Sequence, residues 1–329
     1  MEVFGMQFAG LHHVSAMTAS GEKNYHFYTK ILGMRLVKKS VNQDSHHMYH
    51  LFYADEIGRP GTDLTFFEMI GIGRTYRGNN SISLTGLRVP SDAAIEYWVN
   101  RFDEYSVKHQ GVSEQLGRKV IFFEDPEGQR LMLVSDEKNE GVEGGIPWDK
   151  SPVPVEYGIV GLGPVRLTVP ELAPTEDKLI NLLNFRHVGS YPAYEEGQPD
   201  VEVYHTGEGG TGAEIHVEVR RDLPRERPGR GSVHHVAFRA KDRAELEAWA
   251  DKIKQERLPN SGIVDRYYFE AFYFREPNGI LYELSTDEPG FLTDEPEETL
   301  GESLALPPFI EHKRAEIEAA VTPLDTKTD

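Results

Sequence analysis

The sequence predicts an α+β protein built from four copies of one small module, each a strand, a helix and then further strands. Three observations predict it. The run Asp125-Pro126-Glu127-Gly128 with residues 129–136 aligns without a gap on Glu276-Pro277-Asn278-Gly279 with residues 280–287, and in both a Pro-x-Gly turn feeds an alternating strand. Just upstream, residues 120–123 (VIFF) match 271–274 (AFYF), so both copies close on a β-hairpin. And Leu11-His12-His13-Val14 recurs as Val233-His234-His235-Val236, each time opening a strand that leads to a helix start. Self-similarity at this spacing is the mark of a repeated unit.

The elements follow in order. In module one, Ser20 is a plausible N-cap, and Phe27, Tyr28, Ile31 and Leu32 lie on one helical face behind it. In module two, residues 81–89 read as a strand before the cap Ser91, with Ile95, Trp98, Val99 and Phe102 as the helix stripe. In module three, residues 165–169 precede a helix carrying Leu179, Leu182 and Leu183. In module four, Asp242 caps a helix with Leu246, Trp249, Ala250 and Ile253 at helical spacing. The chain divides as module one 1–75, module two 76–136, a Gly-, Pro- and charge-rich linker 137–157, module three 158–225, module four 226–290, and a C-terminal loop and helix 291–329. The helix is expected around 309–320, and the last residues read as frayed. A module this small exposes one apolar sheet face and must pair to bury it, so four modules suggest two pairs.

Composition narrows the function. The 329 residues carry a net charge of -19, which repels phosphate backbones and anionic lipid, so neither nucleic acid nor a membrane surface is an expected partner. The longest basic cluster, 220–230, is broken by Pro224 and Pro228 and reads as a loop. There is no cysteine, which removes disulfides, thiolate nucleophiles, iron–sulfur clusters and Cys-type zinc sites. Residues 1–11 have no basic stretch followed by an apolar one, and no window approaches the roughly 18 apolar residues of a membrane span, so the default expectation is a cytoplasmic protein.

The repeats supply an internal control for the site. Where modules one and four carry His-His-Val, module two has Ile82-Ser83-Leu84 and module three Gly163-Pro164-Val165; where module four has Glu283, module two has Met132. The scaffold therefore does not require His or Glu at these places. Neighbouring residues on a strand face opposite sides, so one histidine of each doublet is expected on a given face. Two imidazoles and a carboxylate form a facial set that leaves up to three positions open on an octahedral ion, as in non-haem Fe(II) oxygenases. The His46-His47 pair and His50 read as polar strand or loop surface, with the mouth of a pocket as the alternative, and His187, His205 and His216 have no evident partner.

The GLHHV and VHHV strands, the EPNGILYEL hairpin and the four βαβββ-type units resemble the vicinal oxygen chelate superfamily, which includes glyoxalase I and the extradiol dioxygenases. The stretch SVNQDSHHMYHLFYADEIGRPGTDLTFFE within residues 38–68, and the tail around Leu304-Ala305-Leu306-Pro307-Pro308-Phe309, resemble its hydroquinone-type ring-cleaving dioxygenases. That resemblance implies metal ligands at His13, His235 and Glu283, with His12, His234, Arg266 and Tyr273 as catalytic neighbours and Ser15 as a substrate-binding position. With one ligand in module one and two in module four, it pairs modules one with four and two with three. It implies Fe(II), with Mn(II) accepted by the same ligand set, a small aromatic substrate with O₂, and a homodimer. For Arg266 the plain alternative is a surface salt bridge to Asp265 or Glu270. For Tyr273 it is core packing, although the matched Phe123 of module two argues that packing needs no hydroxyl. Phe66, Phe67, Tyr267 and Phe272 are available to wall an aromatic pocket, and most of them are expected to be plain core.

Two other functions compete. If Glu68 is a fourth ligand, the site becomes the two-His, two-Glu set of a glyoxalase-like lyase or isomerase. A non-catalytic protein that sequesters an aromatic compound would need no ligand set at all.

Overall fold

The computed structural model describes residues 5–328; the first four residues of the 1–11 stretch lie outside it. Module one contributes β1 (Leu11–Thr18), α1 (Gly21–Tyr25), β2 (Arg35–Asn42), β3 (Ser45–Ala54) and β4 (Asp63–Glu68). Module two contributes β5 (Ser81–Val89), α2 (Asp92–Glu104), β6 (His109–Gln115), β7 (Arg118–Glu124) and β8 (Arg130–Ser135). Module three follows with β9 (Gly161–Val169), α3 (Leu172–Asp177), β10 (Arg186–Tyr191), β11 (Val201–His205) and β12 (Glu214–Val219). Module four has β13 (Val233–Ala240), α4 (Arg243–Gln255), β14 (Asn260–Asp265), β15 (Phe269–Arg275) and β16 (Leu281–Pro289). A last helix, α5 (Arg314–Ala320), follows a short 3₁₀ turn.

The sixteen strands form two eight-stranded sheets. One runs β14-β15-β16-β13-β1-β4-β3-β2, joining modules four and one; the other runs β10-β11-β12-β9-β5-β8-β7-β6, joining three and two. The seams are the antiparallel pairs β1–β13 and β5–β9. The pairing expected from the ligand set is therefore the one observed. Helix starts fall at the expected caps: Ser20, Ser91 and Asp242 each accept a backbone N–H from three residues on. The helices in modules one and three are short and widen into π-helical turns at His26–Ile31 and Lys178–Leu182.

The helices pack on one face of each sheet. Ile95, Trp98 and Phe102 of α2, and Leu246, Trp249 and Ile253 of α4, are fully buried in one large core with Val14, Leu64, Val236 and Leu284 from the strands. Each such side chain contributes about 1.5–3 kcal/mol on burial, and this fixes which sheet face turns inward. Residues of opposite parity line the other, concave face, where the candidate sites lie. The C-terminal segment is not frayed: the Leu324 carbonyl accepts from Lys39 Nζ, and Thr326 is buried with its hydroxyl bonded to the Gly301 carbonyl.

The repeated hairpin turn carries a pH dependence. Asp125 Oδ1 accepts from the amides of Glu127 and Gln129, both at 2.9 Å, and Tyr28 donates to Oδ2 at 3.0 Å. Burial nonetheless pushes the carboxyl up from 3.8 to about 6. The folded state therefore holds this proton more tightly than the unfolded chain, and stability falls as pH rises from about 4 to about 6, by up to about 3 kcal/mol. Asp125→Asn keeps the acceptor for both amides and is expected to flatten this part of the profile. Urea midpoints at pH 4 and pH 7 check it: a slope as steep as in the parent chain would contradict the assignment.

Candidate metal centre

His13 enters from β1, His235 from β13 and Glu283 from β16, adjacent strands at the centre of the first sheet. All three are buried, and Glu283 is fully so. His13 Nε2 lies 3.1 Å from Glu283 Oε2 and 3.2 Å from His235 Nε2, and His235 Nε2 lies 2.7 Å from Glu283 Oε2. Among the described residues this is the one cluster of three or more His, Asp or Glu side chains converging as metal ligands would. Ligand atoms about 2.1 Å from one ion and at right angles to each other lie roughly 3.0 Å apart, so the donor set fits three cis positions of an octahedral ion. Burial alone would raise the Glu283 carboxyl, but His13 and His235 beside it hold it well below the usual carboxylate range. Burial lowers His235, which keeps that imidazole neutral and able to ligate.

The paired histidines do not face opposite sides as strand alternation predicts. Register shifts fall at both doublets: Leu11 pairs with Phe238 and His13 with Ala237, while Ser15 pairs with His235 and Ala16 with Val233. His12 and His234 are thus the extra residues of two β-bulges, which turn both rings of each doublet toward one side. His12 Nδ1 lies 2.8 Å from His13 Nδ1, and His234 Nδ1 lies 2.8 Å from His235 Nδ1. His12 Nε2 is 3.0 Å from the Thr286 carbonyl, which can only accept. His12 therefore carries its proton on Nε2, so its Nδ1 accepts from His13 Nδ1–H. That leaves His13 Nε2 directed at the cluster. Burial and the neighbouring His13 lower His12 to about 3, consistent with a neutral ring in this relay.

Arg266 and Tyr273 line the same pocket. Arg266 Nε donates to the Tyr273 hydroxyl at 3.2 Å, and its other arm pairs with Asp44 at 3.1 Å. The sequence-adjacent acids are engaged elsewhere: Asp265 accepts the Tyr267 amide and Glu270 pairs with Arg243. Register makes Phe122, not Phe123, the counterpart of Tyr273, because Tyr273 faces Glu283 and Phe122 faces Met132. Likewise Gly86 faces Met132 as Ala237 faces Glu283, so Leu84 rather than Ser83 stands in module two where His235 stands in module four.

Ser15 is fully buried and bonds Thr65 at 2.7 Å; Thr65 in turn bonds His50 Nε2 at 3.0 Å. His50 is no surface residue. Its ring lies between Phe52 and Phe67, at centroid distances of 3.9 and 4.3 Å, and it lines the pocket. Alternation in β3 held the missed signal, since Tyr49, Leu51 and Tyr53 belong to the helix-side core and so place His50 and Phe52 on the concave face. Of the four aromatics available to wall the pocket, Phe67 does, and the others pack elsewhere, as the expectation that most are core has it. Phe66 and Phe272 are core, Tyr267 packs against a separate small cluster, and Phe52 and Phe269 line the pocket instead.

Glu68 stands apart from the cluster. Its Oε1 accepts the Gly21 amide at 2.6 Å, closing the start of α1. The position matching Glu283 is Thr65: β1 pairs Ser15 with Thr65 as β13 pairs Ala237 with Glu283. A threonine where the four-ligand arrangement needs a carboxylate removes the basis for that arrangement. Glu68→Gln is expected to leave metal content unchanged and to cost about 1 kcal/mol through the weakened bond to Gly21. Metal analysis and thermal unfolding check this, and a metal-depleted variant would return Glu68 to the ligand set.

The model of the Glyoxalase/Bleomycin resistance protein/Dioxygenase superfamily matches residues 10–133 and 161–284, one stretch for each half of the chain. The chain is 54% identical, over 97% of its length and 100% of the relative's, to MhqA of Bacillus subtilis (strain 168), provisionally named a ring-cleaving dioxygenase. It is 31% identical, over 94% of each chain, to a chlorohydroquinone/hydroquinone 1,2-dioxygenase of Sphingobium indicum. A crystal structure of a provisionally named dioxygenase from Bacillus subtilis subsp. subtilis str. 168 superposes with a TM-score of 0.88 at 33% identity, covering 99% of this chain and 100% of that one. No helix of the described residues is long and apolar enough to cross a membrane.

Proposed function

Because the chain belongs to the Glyoxalase/Bleomycin resistance protein/Dioxygenase superfamily, we propose that it is a dioxygenase that holds Fe(II) on His13, His235 and Glu283 and cleaves the ring of a hydroquinone-type aromatic with O₂. The observation that carries this reading is the buried set of two imidazoles and one carboxylate, with donor atoms 2.7 to 3.2 Å apart. The hydroquinone class is supported by similarity to the Sphingobium enzyme, and the ring-cleaving activity by 54% identity to MhqA over nearly the whole chain.

Fe(II) bound there supplies a Lewis acid for the substrate phenol and one-electron chemistry with O₂. The chain's own residues do the rest. Phe67 and Phe269 wall the pocket against the substrate ring, and His50, between Phe52 and Phe67, adds a polar group to that wall. Arg266 stays cationic and faces the same space, where it offsets negative charge developing on the substrate oxygens. Burial raises Tyr273 above its ordinary range, so its hydroxyl is protonated and able to donate. His12 fixes His13 through the Nδ1 contact, and the matching contact from His234 does the same for His235. Ser15 acts at one remove, holding Thr65 and through it His50.

The test is O₂ uptake by protein reconstituted anaerobically with Fe(II), and separately with Mn(II), on methylhydroquinone, a catechol and a methylglyoxal–thiol adduct. Stoichiometric O₂ consumption with the hydroquinone is expected. Isomerisation of the thiol adduct without O₂ uptake would make the protein an isomerase, and tight aromatic binding without turnover would make it a binding protein.

A further inference from the structure

The second sheet repeats the architecture of the first but not its chemistry. Leu84 and Met132 stand where His235 and Glu283 stand in the first, so the positions of that cluster are apolar in the second sheet. It is nevertheless open, enclosing a cavity of about 500 Å³. The hairpin repeat places Arg130 two residues before Met132, on the same face, where module four has Leu281. Arg166, from β9, and Arg77 line the cavity beside it. Leu84 and Phe122 form its apolar floor, and the Tyr194 ring meets Phe122 edge-on at 5.4 Å.

The arginines are not equally satisfied. Arg77 pairs with Glu124 at 3.0 Å and bonds the Gly128 carbonyl. Arg166 Nε bonds Ser83, and its nearest carboxylate, Glu218, is 3.8 Å away and already accepts from Thr168. The Arg130 side chain has no hydrogen bond or ion pair among the described residues, although its backbone pairs with Glu124 in the β7–β8 ladder. Burial, Arg166 and Arg77 all lower it, to about 10, and Glu226 and Glu218 offset this only in part. A half-buried guanidinium held beside two others costs stability unless something anionic completes it. Module four shows that the fold accepts leucine at this place.

We infer that the concave face of the second sheet is a binding site for a small aromatic carboxylate, its carboxylate held between Arg130 and Arg166 and its ring lying on Leu84, Phe122 and Tyr194. A planar guanidinium takes a carboxylate through two parallel bonds, which Arg130 has free to give. The apolar floor and the tyrosine edge select a flat hydrophobic body over a bare inorganic anion. The cation cluster is local: a chain with a net charge of -19 would otherwise repel such a ligand. The site is separate from the metal centre and does not depend on the reaction proposed for it.

Calorimetric titration of the full chain with benzoate, benzamide and inorganic phosphate tests this. Saturable benzoate binding is expected. It should persist in Glu283→Ala, weaken at least tenfold in Arg130→Leu, and be absent or at least tenfold weaker for benzamide. Arg130→Leu should unfold at the same or a higher temperature than the parent chain and keep its metal content and turnover. The inference is overturned by any of four results: no benzoate saturation up to about 10 mM, well beyond the range of specific small-ligand sites; equal binding by Arg130→Leu; equal or tighter binding of benzamide or phosphate; or loss of benzoate binding in Glu283→Ala. An Arg130→Leu protein that unfolds earlier or fails to fold would show the arginine to be structural and would overturn it as well.

Discussion

Replacing Glu283 with alanine is expected to leave a folded protein that retains no Fe(II) through desalting and turns over at least about a thousandfold more slowly. Removing a residue that merely orients a ligand typically costs 10–100-fold in metal affinity, and losing a ligand itself costs more. Glu283 is also the single anion of the cluster, and without it two neutral imidazoles must hold a dication by lone pairs alone. The fold should survive, because the pairing of β16 with β13 and β15 is made by backbone groups, and the matched place in module two is filled by Met132. His13→Ala and His235→Ala should behave alike. Iron content by elemental analysis, beside circular dichroism, separates the outcomes. A Glu283→Ala protein that keeps one equivalent of iron and full activity would remove Glu283 from the ligand set.

The repeat made most of this site legible. A gapless hairpin match is strong because turn chemistry and strand parity must both agree, and it matches Glu283 to Met132 from the sequence alone. The same counting settles Glu68: Glu283 lies four residues after Gly279, and four after Gly61 is Thr65, the position register selects. The bulges were not legible. A strand pattern carries parity but does not announce an inserted residue, so the doublets read as opposite-facing when they are in fact bonded Nδ1 to Nδ1. His50 was obscured for a related reason. Both faces of β3 are largely buried along its second half, one against the helices and one in the pocket, so hydrophobic alternation is weak there. The Arg266–Asp44 pair joins residues 222 positions apart on different modules, which local pattern does not reach.

Tyr273→Phe is expected to lower kcat about a hundredfold while leaving iron content and the fold unchanged. The ring is held independently of the hydroxyl: it stands edge-on to His235, 5.7 Å between centroids, and the matching Phe122 shows that the sheet packs a plain phenyl at this place. The hydroxyl has a defined direction. Its oxygen accepts from Arg266 Nε, so its proton points into the pocket that Glu283 and His235 also line, where the Glu283 carboxylate is within reach of it. Burial and the nearby Glu283 carboxylate keep it protonated, with Arg266 opposing them only in part. A positioned proton donor of this kind contributes typically 10²–10⁴-fold to a rate, whereas a lost hydrogen bond to Arg266 costs only about 1 kcal/mol of stability. Steady-state O₂ uptake, iron analysis and thermal unfolding on one preparation separate these terms. A fall in kcat with iron retained is the signature of a proton donor. Loss of iron would instead make Tyr273 a support for the ligands, and an unchanged kcat would leave it a packing residue, with Arg266 as the remaining group able to act on the substrate's developing charge.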